Sequence, residues 1–146
     1  MGCDIHIFLE RKDNENHWID SMVYENSKYD GFRPLSYYPR NYTLFATLAG
    51  VRGFEPIKLP KGIPEDCTFE YKKMCNDWGD DGHSHSYFTL RELLDVVINC
   101  PESRKYSLEQ FILHLKNIIK IKDIWADDEE IEEYAEKYRV CFFFDN

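Results

Sequence analysis

Two short patterns in this 146-residue chain place acids and imidazoles where they could do chemistry. The first is Asp4-x-His6 near the start. In an extended strand a two-residue step sets both side chains on one face, about 7 Å apart. The second is His83-Ser84-His85, which is preceded by Asp77, Asp80 and Asp81 and by two glycines. In an extended segment H-x-H also points both rings one way. Imidazole is a good ligand for Zn, Mn or Fe. Asp4, His6, His83 and His85 then make a mixed nitrogen and oxygen set for one divalent transition metal. Asp145 is a fifth ligand, or orients a histidine from behind. Asp80 and Asp81 are the candidates for a catalytic base. This convergence requires the first and last strands to be neighbours.

Arg40 and Arg52 flank a predicted helix at 41–49 and, rather than Arg33, are the expected anion-binding pair, with Tyr42 beside them. A guanidinium grips phosphate or carboxylate through a planar fork. A helix N-terminus next to Arg40 adds main-chain donors. Familiar catalytic signatures do not occur. There is no G-x-G-x-x-G, Walker loop, G-x-S-x-G or H-E-x-x-H, and Gly79 breaks any EF-hand reading of 77–88.

The elements that must position these residues follow from periodicity. Residues 3–10 alternate, with Cys3, Ile5, Ile7 and Leu9 on one face and Asp4, His6, Phe8 and Glu10 on the other. Residues 18–25 read as the returning strand of a hairpin, and 26–40 as irregular. Asn41 caps the 41–49 helix and Gly50 ends it. Asp66 is the expected cap of a helix over 67–76, and 77–88 reads as a loop. Thr89 with Glu92 and Ser107 with Gln110 form capping boxes for two more helices. Asp127 with Glu130 starts another, whose inner face carries Ile131, Tyr134, Ala135 and Tyr138. Its acidic first turn, DDEE, suits the helix dipole. Residues 139–145, RVCFFFD, are almost wholly apolar, as in a central strand covered on both sides. The expected fold is α+β, a single domain over 1–146. It has a small, mainly antiparallel sheet holding the N-terminal hairpin and the C-terminal strand, packed with four to five helices.

Bulk properties narrow the function. At 43% hydrophobic and 16% aromatic residues the chain can fill a core without metal or disulfide staples. A net charge of −9 argues against duplex nucleic acid but not against a small anionic molecule held by local arginines. The five cysteines contain no C-x-x-C pair, so reduced thiols in a cytoplasm are expected. No apolar run reaches the ~18 residues of a membrane span. No secretory signal is expected, since Asp4, His6, Glu10 and Arg11 interrupt the N-terminal apolar run. His6 stands where a myristoylation motif needs Ser or Thr. Homo-oligomerisation is left open.

MGCDIH at the start, RNYTLFATLAGVRG at 40–53, DGHSHSYFTLREL at 81–93 and the terminal FFFDN resemble a family of bacteriophage and bacterial proteins with no established activity. The resemblance implies a phage or prophage origin. It falls on Asp4, His6, Arg40, Asn41, Tyr42, Arg52, His83, His85, Glu92, Asp145 and Asn146, and leaves 99–138 without a signature. The first expectation for function is a metal-dependent hydrolase of a small phosphorylated or nucleotide-like molecule. The alternative is a non-catalytic protein that sequesters a host nucleotide signal or inhibits a host enzyme.

Overall fold

The computed structural model describes residues 2–28, 31–122 and 127–146. Strand β1 (Asp4–Lys12) alternates between half-buried and buried residues at its start and is buried from Ile7 to Glu10. It runs antiparallel to β6 (Tyr138–Asp145), pairing Asp4 with Asp145 and Arg11 with Tyr138. Every residue of β6 is buried, as its apolar run demands. On the far side β6 pairs with β5 (Gly82–Thr89), and β1 pairs with β2 (Trp18–Asp20). The order is β2-β1-β6-β5, all antiparallel. The fold is therefore α+β, with the first and last strands adjacent.

One face of β6 carries Phe142 and Phe144, the other Phe143. Helix α1 (Tyr42–Ala49) meets the first face, with Phe45 edge-on to Phe144 at 5.1 Å. Helix α2 (Phe69–Trp78) covers the second, with Tyr71 and Trp78 each 6.4 Å from Phe143. Helices α3 (Leu90–Asn99) and α4 (Glu102–Lys122) pack on one another, and α4 also lies on α1. A short α5 (Asp128–Glu133) precedes β6.

The caps explain where several helices begin. The Asn41 side chain accepts from Leu44 N–H, and Gly50 closes α1 at φ 72°, a left-handed turn that glycine adopts without strain. Thr89 and Glu92 form the expected capping box, and Asp127 caps α5. Other expectations are corrected. Thr68, not Asp66, caps α2. The Asp66 carboxylate instead accepts from Arg139. α4 begins at Glu102, just after Pro101, so Ser107 lies inside it and donates to Asn41 Oδ1. Tyr134 is exposed rather than inward, and Tyr138 opens β6. Residues 82–88 are strand rather than loop.

The 18–25 segment also divides. β2 stops at Asp20, and Met22 is buried, with its sulfur accepting from Leu9 N–H. Tyr24–Ser27 (β3) then pairs with Gly31–Pro34 (β4) in a separate two-stranded sheet. Tyr24 and Glu25 of that sheet belong to the expected strand, while its other residues fall in the 26–40 stretch expected to be irregular, of which Tyr29 and Asp30 are outside the described residues.

A buried polar network holds β1, β6 and the 66–68 turn together. Glu10 and Arg139 are paired across the two strands, with Arg139 Nε 2.6 Å from Glu10 Oε1. Thr68 N–H donates to Glu10 Oε2 at 2.7 Å, and the Cys141 thiol lies 3.3 Å from Oε1. Trp18 covers the Arg139 guanidinium at 4.3 Å. Buried charges persist where, as here, each is paired and hydrogen-bonded.

Candidate functional site

The end of the sheet at Asp4 and Asp145 gathers several residues singled out in the sequence. His6 Nε2 lies 2.5 Å from Asp145 Oδ2. The His6 ring stacks on Phe143 at 4.7 Å and touches Trp78 at 4.6 Å. These rings and the carboxylate fix the imidazole's orientation. Nδ1 of His6 has no hydrogen bond among the described residues.

Asp4 faces Asp145 in register but is held elsewhere. Arg40 donates to it through Nε at 2.8 Å and Nη2 at 3.3 Å. That guanidinium beside Asp4 holds its carboxyl below the usual range, chiefly through the hydrogen bond. The Arg40 head lies against Gly2, where a Cβ would come within 1.9 Å of Nη1. Tyr42 Oη accepts from Cys3 N–H at 3.3 Å, and Arg52 sits over the Tyr42 ring at 5.3 Å. Arg40, Tyr42 and Arg52 thus all lie around the start of β1.

The histidines of β5 do not behave as their spacing suggests. His83 is opposite Phe144 and Ser86 opposite Phe142, so two residues, Ser84 and His85, span the place of one. Ser84 takes φ 56°, in the left-handed region, to make this bulge. The extra residue reverses the alternation. His85 stacks on Phe143 at 5.2 Å, whereas His83 lies over Phe144 at 6.3 Å, and these two rings are on opposite faces of β6. His83 and His85 therefore do not point to one place. His85 does share the His6 face, but Phe143 stands between the two imidazoles. His83 Nδ1 engages its neighbour Ser84 Oγ at 3.0 Å, and its Nε2 is buried without a partner among the described residues. Burial lowers the His85 pKa, with His83 a smaller contributor.

Among the described residues no group of three or more His, Cys, Asp or Glu side chains is arranged to hold a metal ion. The expected ligand set of Asp4, His6, His83, His85 and Asp145 is split between Arg40, Asp145 and the two faces of β6. Asp80 and Asp81 lie in the single 3₁₀ turn Gly79–Asp81 that joins α2 to β5, exposed to solvent. Thiol chemistry has no prepared nucleophile in Cys3, Cys67 or Cys75. Burial raises all three, Cys75 to about 11.

A cleft of about 510 Å³ opens beside His6, within the usual range for a small-molecule site. Its floor is β1 from Asp4 to Phe8. One wall is Met74 and Trp78 of α2, and the other runs from Phe32 through Tyr38. Phe32 is 77% exposed and Tyr38 51%. Arg33 lines this wall, 3.0 Å from Glu25 and stacked over Tyr38 at 5.5 Å. Phe32, Tyr38, Met74 and Trp78 carry no signal in the sequence, and Arg33 ranks there below Arg40 and Arg52 as an anion ligand. No periodicity marks them, and Phe32 and Arg33 fall in a stretch whose sequence reads as irregular.

No described helix is long and apolar enough to cross a membrane. No family model, curated protein or solved structure matches this chain.

Proposed function

We propose that this protein hydrolyses a small phosphorylated, nucleotide-like molecule, with the His6–Asp145 pair as its acid–base device. The supporting observation is one imidazole at the cleft, bound through Nε2 to a carboxylate at 2.5 Å and free of hydrogen bonds at Nδ1 among the described residues. In this reading Nδ1 takes a proton from water as the water oxygen bonds to phosphorus, and the ester oxygen leaves with its electron pair. Asp145 keeps the ring in the useful tautomer and stabilises the imidazolium formed. Arg40, half exposed beside Asp4, meets the phosphoryl charge. No step is routed through a metal, since Asp4, His6, His83, His85 and Asp145 share no common donor set among the described residues. His6 replaces Asp80 and Asp81 in the role of base.

The exposed aromatic wall favours a second reading, in which the cleft retains a host nucleotide signal without turning it over. A panel of nucleotides and sugar phosphates decides between them. Phosphate release abolished by His6→Gln and insensitive to chelator supports hydrolysis. Stoichiometric retention without release supports sequestration. Activity that requires about one transition metal per chain, by elemental analysis, would restore a metal-dependent enzyme.

A further inference from the structure

Taking the cleft as the ligand site, as proposed above, we infer that Arg33 is a specificity-determining residue there, gripping a phosphate of the ligand through the two amino groups of its guanidinium. Among the described residues Arg33 is the one Arg or Lys that lines the cleft. Arg40 does not line it. Its head is given to Asp4, which does, through both Nε and Nη2. A carboxylate that takes two nitrogens of one guanidinium occupies one edge of the fork and balances its charge. A phosphoryl group carries about 1.5 to 2 negative charges at neutral pH, so Arg40 alone leaves it poorly compensated.

Arg33 is held differently. It stands directly opposite Glu25 in the β3–β4 ladder, and its Nε donates to Glu25 Oε1 at 3.0 Å. The same oxygen accepts from the Tyr38 hydroxyl, and the guanidinium lies over the Tyr38 ring at 5.5 Å. Tyr38 and, less strongly, Arg33 hold the Glu25 carboxyl below its usual range, so it stays an anion and the anchor persists.

One restraint acts at Nε and the other on the plane of the head. Neither uses Nη1 or Nη2, and no described residue bonds to them. An Arg placed only to pair with Glu25 would turn its fork to the carboxylate, whereas this one gives it a single nitrogen. The open end of the fork is the geometry that grips phosphate bidentately. The Arg33 side chain is 45% exposed, so a ligand in the cleft can reach it.

The test uses the ¹⁵N-labelled full chain and inorganic phosphate at constant ionic strength, which needs no turnover. Phosphate should move the Arg33 Nε–H resonance, assigned by its loss in Arg33→Gln. Arg33→Gln, at an exposed position and checked for folding by circular dichroism, should weaken phosphate binding about tenfold or more. Arg33→Lys, which keeps the charge and loses the fork, should restore only part of it. On any ester turned over in the panel above, Arg33→Gln should raise KM about tenfold and leave kcat within about twofold. The inference is overturned if phosphate leaves the Arg33 resonance unmoved, if Arg33→Gln binds phosphate like the parent, or if Arg33→Lys binds it equally well. Phosphate binding that depends on Arg33, with no ester turned over, would remove the hydrolase reading and leave this one standing. Turnover abolished by His6→Gln and indifferent to Arg33→Gln would do the reverse.

Discussion

Asp145 Oδ2 lies 2.5 Å from His6 Nε2, joining residues 139 positions apart in the chain. The contact is diagonal, since His6 is in register with Phe143 and Asp145 with Asp4. Asp145→Asn keeps the size of the side chain but removes the charge that would stabilise an imidazolium. Turnover is expected to fall on the order of 100-fold or more, with the circular dichroism unchanged. The ratio kcat/KM as a function of pH checks it, and undiminished activity would reduce the pair to a structural contact.

Glu10 and Arg139 are 0% and 5% exposed. Deleting one leaves the other buried and unpaired. Glu10→Ala is therefore expected to cost about 3–5 kcal/mol in urea unfolding. Asp66, which touches the same guanidinium but is 67% exposed, should cost no more than about 1 kcal/mol as Asp66→Ala.

Burial lowers the pKa of both His85 and His114 in the folded protein, below the ordinary histidine value of 6.5. A neighbouring imidazole, His83, adds to the effect at His85, while a hydrogen bond to the Ser36 main chain opposes it at His114. Between the folded values and 6.5 the unfolded chain binds more protons than the folded one, so stability rises with pH across that window. It should be fully present above about pH 6.5 and decline as acid is added. Urea midpoints at three pH values test this, and His114→Gln should flatten the slope. An unchanged slope in His85→Gln and His114→Gln would assign the acid sensitivity to other groups.

Gly2 leaves room for the Arg40 guanidinium, which a Cβ would meet at 1.9 Å. Gly2→Ala is expected to push Arg40 off Asp4, and the Asp4 carboxyl should then titrate closer to its ordinary range. A ¹³C-detected carboxyl titration reads this directly. No change in Asp4 would show that Arg40 can reach it by another route.

Much of the fold was legible because local signals and burial agreed. The alternation of 3–10, the apolar run 139–145, the Asn41 and Asp127 caps and the Thr89–Glu92 box all rest on short-range physics. The bulge at Ser84 was not legible. A serine gives no sign that it will take a positive φ, yet that one residue separates His83 from His85. The 18–25 strand misled because Met22 continues an apolar pattern while its sulfur receives the Leu9 N–H and ends the pairing. Asp66 read as a cap because its partner, Arg139, lies 73 positions away, beyond any local pattern. The cleft was invisible for the same reason. Its two walls come from residues 32–38 and 74–78, and only the tertiary fold brings them to β1.

The pairing of β1 with β6 carries a kinetic consequence. The central ladder of the sheet cannot form until segments separated by most of the polypeptide meet, and the entropy of closing so large a loop is lost before any cross-strand contact rewards it. Refolding after dilution from denaturant should therefore be slow for a domain of this length, with α4 gaining helicity well before the Glu10–Arg139 pair closes.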